Sequence, residues 1–274
     1  MLWLLLLQVL ASCFCLGHSE VVTPFASCPQ FFYQGTPPDE ALWPNKPAWI
    51  CQRYNNSYHF ATLYDRDSRI PIYSAYIYQP GPGKRPKTWL VEPQLVKQTY
   101  PKDMKTEHFL ETQYNITSQQ IGQSQAVNQD YKNLTNLDRG HLSPSGHQSG
   151  NNSKSATFTL TNIVPQYSSL NQGAWKDYEN QTMQMETQGC NTTYVITGAV
   201  PGSTYIANKR VNVPSHIWSA ACCVVGQKPR NTWAVIAENN KNQVQNLTLD
   251  QLETELTQLY GRGQVSLFHI DCPR

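Results

Sequence analysis

The stretch NLDRGHLSPSGHQSG, residues 136–150, sets an acid, a fixed cation, a glycine and an imidazole side by side at Asp138, Arg139, Gly140 and His141. It then breaks into Ser, Pro and Gly. Packing alone has little use for that set. A neutral imidazole, with an ordinary pKa of ~6.5, accepts a proton at physiological pH. Held against a water, it can contribute a rate factor of roughly 10² to 10⁴. Asp138 could orient such a base. Arg139 offers a planar fork that suits a phosphate oxygen, and Gly140 permits a sharp turn or a close backbone approach. A surface turn with an Arg–Asp pair accounts for the tetrapeptide equally well, so the rest of the chain has to decide.

Thirty residues on, NQGAWKDYENQTMQMETQ (171–188) predicts one helix, with Trp175, Tyr178 and Met185 sharing a buried face at i, i+3 and i+10. Asn171 falls at its N-terminus and Glu179 eight residues later. On a straight helix they are offset by roughly 80° and about 12 Å. They could act on one ion only if the carboxylate works through water. That suits Mg²⁺, which takes oxygen ligands and keeps most of its waters. A helix cap for Asn171 and a solvated charge for Glu179 are the plain alternatives.

The remaining segments read as mixed α+β. HFATLYDRDSRIPIYSAYIYQ (59–79) is two strands around a polar turn, and QPGPGKRPKTW (79–89) a basic Pro/Gly loop. Residues 111–137 are polar and loop-like, and 155–166 starts as a strand that Pro165 stops. TYVITGAV, WSAACCVV and TWAVIAEN are strands, the last two a hairpin. LTLDQLETELTQLYG is a helix with a Thr248/Gln251 capping box and a terminating Gly261. QVSLFHI is a closing strand.

Composition narrows the class. Against 19 acidic residues the chain has 21 basic ones, so any anionic partner must be held by a local patch. Residues 1–19 read as a secretory signal peptide, cut near Gly17 or Ser19, and 20–274 as one domain. No later stretch approaches the ~20 apolar residues of a membrane span. Sequons at Asn55, Asn115, Asn133, Asn151, Asn180, Asn191 and Asn246 agree with a secreted, extracellular glycoprotein. With Cys13 and Cys15 leaving in the leader, Cys28, Cys51, Cys190, Cys222, Cys223 and Cys272 form three disulfides among fifteen pairings. Cys28–Cys51 is the preferred local pair. Adjacent Cys222 and Cys223 face opposite sides of a strand and need different partners. His147, six residues after His141, is too irregular for a helical metal pair, His59, His108, His216 and His269 read as structural, and no G-x-S-x-G elbow, P-loop or zinc set appears.

LDRGHLSP followed by TLTNIVPQYSSLNQGAWKDYE resembles the DNA/RNA non-specific endonucleases with a ββα-metal site, over about residues 55–270. That family includes the Serratia-type secreted nucleases, mitochondrial endonuclease G and the vertebrate endonuclease domain-containing 1 proteins. The secreted, disulfide-bearing form is most similar to the last. The resemblance implies an α+β fold, a mixed, largely antiparallel sheet flanked by helices. It implies a Mg²⁺-dependent phosphodiesterase, with Mn²⁺ able to substitute, that acts on DNA and RNA and leaves 5′-phosphates. By the same resemblance His141 is the general base and Asn171 the direct metal ligand. Glu179 holds metal-bound water, Arg139 lies beside the substrate phosphate and Asp138 supports the site. Asn162 and Gln166 are structural. Two departures stand out. The family's phosphate-clamping arginine aligns with neither Arg85 nor Lys87 uniquely, and Met183 replaces a cation after the glutamate, leaving Lys84, Arg85, Lys87 or Lys176 to compensate. The rival reading is a catalytically silent glycoprotein that uses the scaffold for binding.

Overall fold

The computed structural model describes residues 21–22 and 24–274, so the expected leader at 1–19 lies outside the described residues. In chain order the strands are β1 (Val21–Val22), β2 (Pro47–Tyr54), β3 (Ser57–Asp65), β4 (Ile70–Ile77), β5 (Leu137–His141), β6 (Ile163–Tyr167), β7 (Thr192–Val200), β8 (Thr204–Ile206), β9 (Val211–Val213), β10 (His216–Val225), β11 (Lys228–Glu238) and β12 (Gln245–Leu247). Eight of them form one sheet in the order β1-β2-β3-β4-β7-β10-β11-β12, while β5-β6 and β8-β9 are separate ribbons. The ladders are antiparallel, and parallel pairing occurs at the Leu90–Thr159 bridge. The architecture is the α+β fold that the motif resemblance implies.

Each face of the sheet carries its own core, and β10 shows why. Ile217, Ala221 and Cys223 pack into one layer, and Trp218, Ala220, Cys222 and Val224 into the other. Alternation along a strand requires this. It also separates the adjacent cysteines. Cys223 bonds Cys190 on one side and Cys222 bonds Cys272 on the other, while Cys28 joins Cys51. The second layer is closed by the helix Leu249–Tyr260, with its Thr248/Gln251 capping box and Gly261 in the left-handed region. The first layer carries β5, β6 and the helical segments after them.

Four expectations are corrected. The helix expected over 171–188 is broken. One turn spans Ser168–Asn171, Gly173 leaves helical geometry (φ −107°, ψ −119°), Ala174–Asp177 restarts the helix, Tyr178–Thr182 is a π-turn and Met183–Glu186 completes it. Met183 therefore enters the core five residues after Tyr178, and Met185 is 60% exposed. The supposed loop 111–137 contains part of the helix Glu107–Tyr114, a capped turn at Ser118–Ile121 and a 3₁₀ turn at Asn128–Tyr131. Its inward apolar residues, such as Ile116 and Ile121, made no visible stripe.

Pro165 does not stop a strand but lies inside β6, which among the described residues pairs only with β5, so its missing N–H costs no second ladder. Residues 264–270 are not a strand. Their backbone N–H groups are taken by side chains instead: Val265 by Thr257 (2.9 Å), Ser266 by Asp39 (2.7 Å) and Leu267 by Glu253 (2.8 Å).

Candidate active site

Strand β5 sends alternate residues to opposite faces, so Arg139 and His141 share one face and Asp138 takes the other. This is why Asp138 does not orient the imidazole. Its carboxylate accepts from Ser168 Oγ, Asn171 Nδ2 and Gln172 Nε2, each at 2.9 Å. Burial alone would raise this carboxyl, but those three hydrogen bonds outweigh it and hold it below the usual range. Gly140 lies between these faces against Gln166, whose Cβ would stand 2.6 Å from an added Cβ. Only glycine allows the ribbon to close there.

Beyond His141 the chain is clamped by Asn162. Its Oδ1 accepts from the Ser143 N–H at 3.0 Å, its Nδ2 donates to the Ser143 carbonyl at 3.0 Å and to Thr157 at 2.9 Å, and Ser74 on β4 donates to the same Oδ1. The DRGH strand is thereby tied to the central sheet.

The imidazole of His141 lies between aromatic rings, 5.5 Å from Trp89 and 4.8 Å from Phe158 between centroids. Burial, with the Arg85 cation nearby, lowers its pKa to about 3. Its Nε2 is shielded from solvent and has no hydrogen-bond partner among the described residues. A buried polar atom without a partner asks for a functional explanation. The Arg139 guanidinium stacks over Trp89 at 4.8 Å and Tyr131 at 5.5 Å, and touches Asn128 through two long bonds of 3.4 Å. No carboxylate among the described residues pairs with it directly, so its fork is open to an anion.

Glu179 lies in the π-turn. Burial pushes its carboxyl up to about 8, opposed by the Trp175 indole N–H, 3.1 Å from Oε1, and by Arg85. These groups meet in one cleft of about 480 Å³, lined by Arg85, Arg139, His141, Asn171, Lys176 and Glu179 among others.

The residues of the cleft suit a hard cation. An ionised Asp138 can only accept, so it fixes the Asn171 amide with Nδ2 inward and leaves the carbonyl oxygen available. Asn171 and Glu179 could hold such an ion while it keeps most of its waters. Among the described residues no group of three or more His, Cys, Asp or Glu side chains could hold a metal.

The ambiguous basic positions separate. Arg85 and Lys176 line the cleft, whereas Lys84 and Lys87 are exposed and do not. Met183 is in the core, so its side chain is no lost cation of the cleft wall. Sequence reading missed Trp89, Phe158 and Tyr131 as ring walls. It also missed His147, set aside as a metal-pair partner of His141, which lines the cleft and hydrogen-bonds the Glu179 backbone. Only the aromatic character of position 89, next to the basic loop, signalled any of these.

A profile of the DNA/RNA non-specific endonuclease family matches residues 39–261. The chain belongs to this family. It is 36% identical over 215 residues to the human endonuclease domain-containing 1 protein, covering 77% of this chain and 41% of that relative. It is 32% identical over 106 residues to human mitochondrial endonuclease G, covering 34% and 35%. The chain thus spans about two fifths of the length of the first relative. The solved EndoG/EndoGI complex has the same fold, with a TM-score of 0.50 and 18% identity over 79% of this chain and 84% of that one. All seven sequon asparagines are exposed. No helix among the described residues is long and apolar enough to cross a membrane.

Proposed function

We propose that residues 20–274 form one secreted, sugar-non-specific nuclease domain behind a leader at 1–19. It would hydrolyse phosphodiester bonds of DNA and RNA with Mg²⁺ or Mn²⁺ and leave 5′-phosphates. The observation that supports this most directly is the unpartnered, shielded Nε2 of a neutral His141 in the same cleft as Asn171, Glu179 and Arg139. His141 Nε2 accepts the proton of the attacking water; its low pKa keeps it unprotonated at physiological pH. Arg139 and Arg85 hold the phosphate from the cationic side of the cleft. Asp138 keeps the Asn171 carbonyl turned to the cation, and Glu179 holds water on it. The cation, when bound, offsets charge on the phosphate and on the departing oxygen.

Neither side of this reading needs base recognition, because phosphate contacts carry no sequence information. Plasmid nicking and RNA cleavage by the mature chain, with Mg²⁺ and with EDTA, test it. Cleavage abolished by EDTA and by His141→Ala is the expected result. A folded wild-type protein that cuts neither substrate would leave the silent, binding scaffold as the function.

A further inference from the structure

His147 is buried, is not needed by the chemistry above, and touches the π-turn of the cleft wall. In an α-helix the Met183 N–H would bond the Glu179 carbonyl. Here it bonds Tyr178 instead, the i→i+5 pattern of a π-turn. The Glu179 carbonyl is therefore left for another donor, and His147 Nε2 lies 2.8 Å from it. A carbonyl only accepts, so Nε2 carries the proton and Nδ1 is left as an acceptor. That acceptor meets the Tyr76 hydroxyl at 2.9 Å. Tyr76 belongs to β4 in the middle of the main sheet, and Tyr78 packs edge-on against the imidazole at 4.8 Å. One tautomer, fixed from the sheet, caps one carbonyl of the π-turn.

We propose that His147 is a positioning residue for Glu179. Its Nε2–H holds open the π-turn that keeps the Glu179 carboxylate in the cleft. This role of His147 rests on Glu179 being a cation-binding group, as proposed above. The π-turn has a consequence that depends on this bond: Met183 rather than Thr182 enters the core. Without the donor, the Met183 N–H can return to Glu179 and the turn can close to α geometry, which would rotate the carboxylate relative to Asn171.

The test uses His147→Phe, which keeps a ring and loses the donor, and His147→Gln, which restores a donor near Nε2. Tyr76→Phe removes the hydroxyl that fixes the tautomer with little change in shape. Turnover on plasmid is measured beside amide exchange at Met183 and Gln184 and the melting temperature. His147→Phe is expected to lower kcat about 10- to 100-fold, the usual scale for groups that orient a metal ligand, with KM little changed. It should also change exchange in 178–184 while core strands stay protected. His147→Gln should recover most of both, and Tyr76→Phe should fall between. Equal loss in the Phe and Gln variants, or exchange in 178–184 unchanged in both His147→Phe and Tyr76→Phe, overturns the proposal. If the wild type proves inactive, the nuclease reading fails, and the exchange pattern still decides whether His147 holds the turn.

Discussion

Glu92 ends a polar network that runs behind the candidate site, and its replacement gives a measurable consequence. Its Oε1 accepts from Thr159 Oγ1 at 2.8 Å and Thr161 Oγ1 at 3.3 Å, and Gln52 donates to Thr161 at 2.9 Å. Gln125 grips the Glu92 backbone through both its N–H and its carbonyl at 2.8 Å. Burial pushes this carboxyl up to about 7 despite the two hydroxyls. In the unfolded chain it ionises near the ordinary ~4.5, so between these values the folded state holds the proton more tightly. Stability therefore falls as pH rises through that window and levels off above about 7. At 1.36 kcal/mol per pKa unit the fall is about 3 kcal/mol.

Glu92→Gln keeps an acceptor for both threonines and removes the titration. Urea unfolding of both proteins at pH 4.5 and pH 8 is the assay. The stability of the variant relative to wild type should rise by about 3 kcal/mol between the two pH values. Parallel behaviour of the two proteins would show that Glu92 is already ionised in the fold, and the burial argument would fail.

His141→Ala should lower turnover at least about 10²-fold with the melting temperature preserved; near-normal cleavage by the folded variant would remove it from the mechanism. Asn171→Ala should cost more activity and more Mg²⁺ affinity than Glu179→Gln, because Glu179 acts through water, and the reverse order in a Mn²⁺ titration would overturn the ligand assignment. Reduction should destabilise the protein by roughly 2 to 5 kcal/mol for each bond lost, and six free thiols by mass spectrometry in the secreted form would contradict the disulfides. Salt dependence of duplex binding should follow the cleft cations. With Arg85, Arg139 and Lys176 on phosphates, the log–log slope is about −3, and Arg85→Ala should flatten it by about 0.9. A slope that responds to Lys84→Ala and Lys87→Ala but not to Arg85→Ala would place the grip on the outer loop.

The strands and capped helix were legible because each has a local cause. Alternation gave β3, β4, β7, β10 and β11, and separated Cys222 from Cys223 before any partner was known. Thr248, Gln251 and Gly261 marked both ends of the last long helix. The failures have a different origin. The tail 264–270 has a strand's composition, but its N–H groups are claimed by Asp39, Glu253 and Thr257 from elsewhere in the chain. Nothing within the segment records that competition. The helices near 111–137 were hidden because a few inward residues suffice for short turns fixed by Thr106 and Thr117 caps.

The candidate site shows the same division. Asp138, Arg139, His141, Asn171 and Glu179 were singled out as candidates because the motif names residue types in a fixed order; the structure sets Arg139, His141, Asn171 and Glu179 around one cleft and Asp138 against Asn171. Their relative geometry was not found. A straight-helix calculation put Asn171 and Glu179 on neighbouring faces, yet the chain breaks at Gly173 between them and Glu179 itself lies in the π-turn. That turn also explains Met183. By α-helical spacing it occupies the position of a missing cation, whereas the extra residue in the turn directs it into the core. The chain-wide balance of +2 pointed to a local patch for any anionic partner, and three cations line a single cleft from loop, strand and helix. The electrostatic force on an approaching phosphate depends on that local arrangement, since charges beyond about 8 Å are screened at physiological salt. A near-neutral chain can therefore hold an anion at one place and repel little elsewhere.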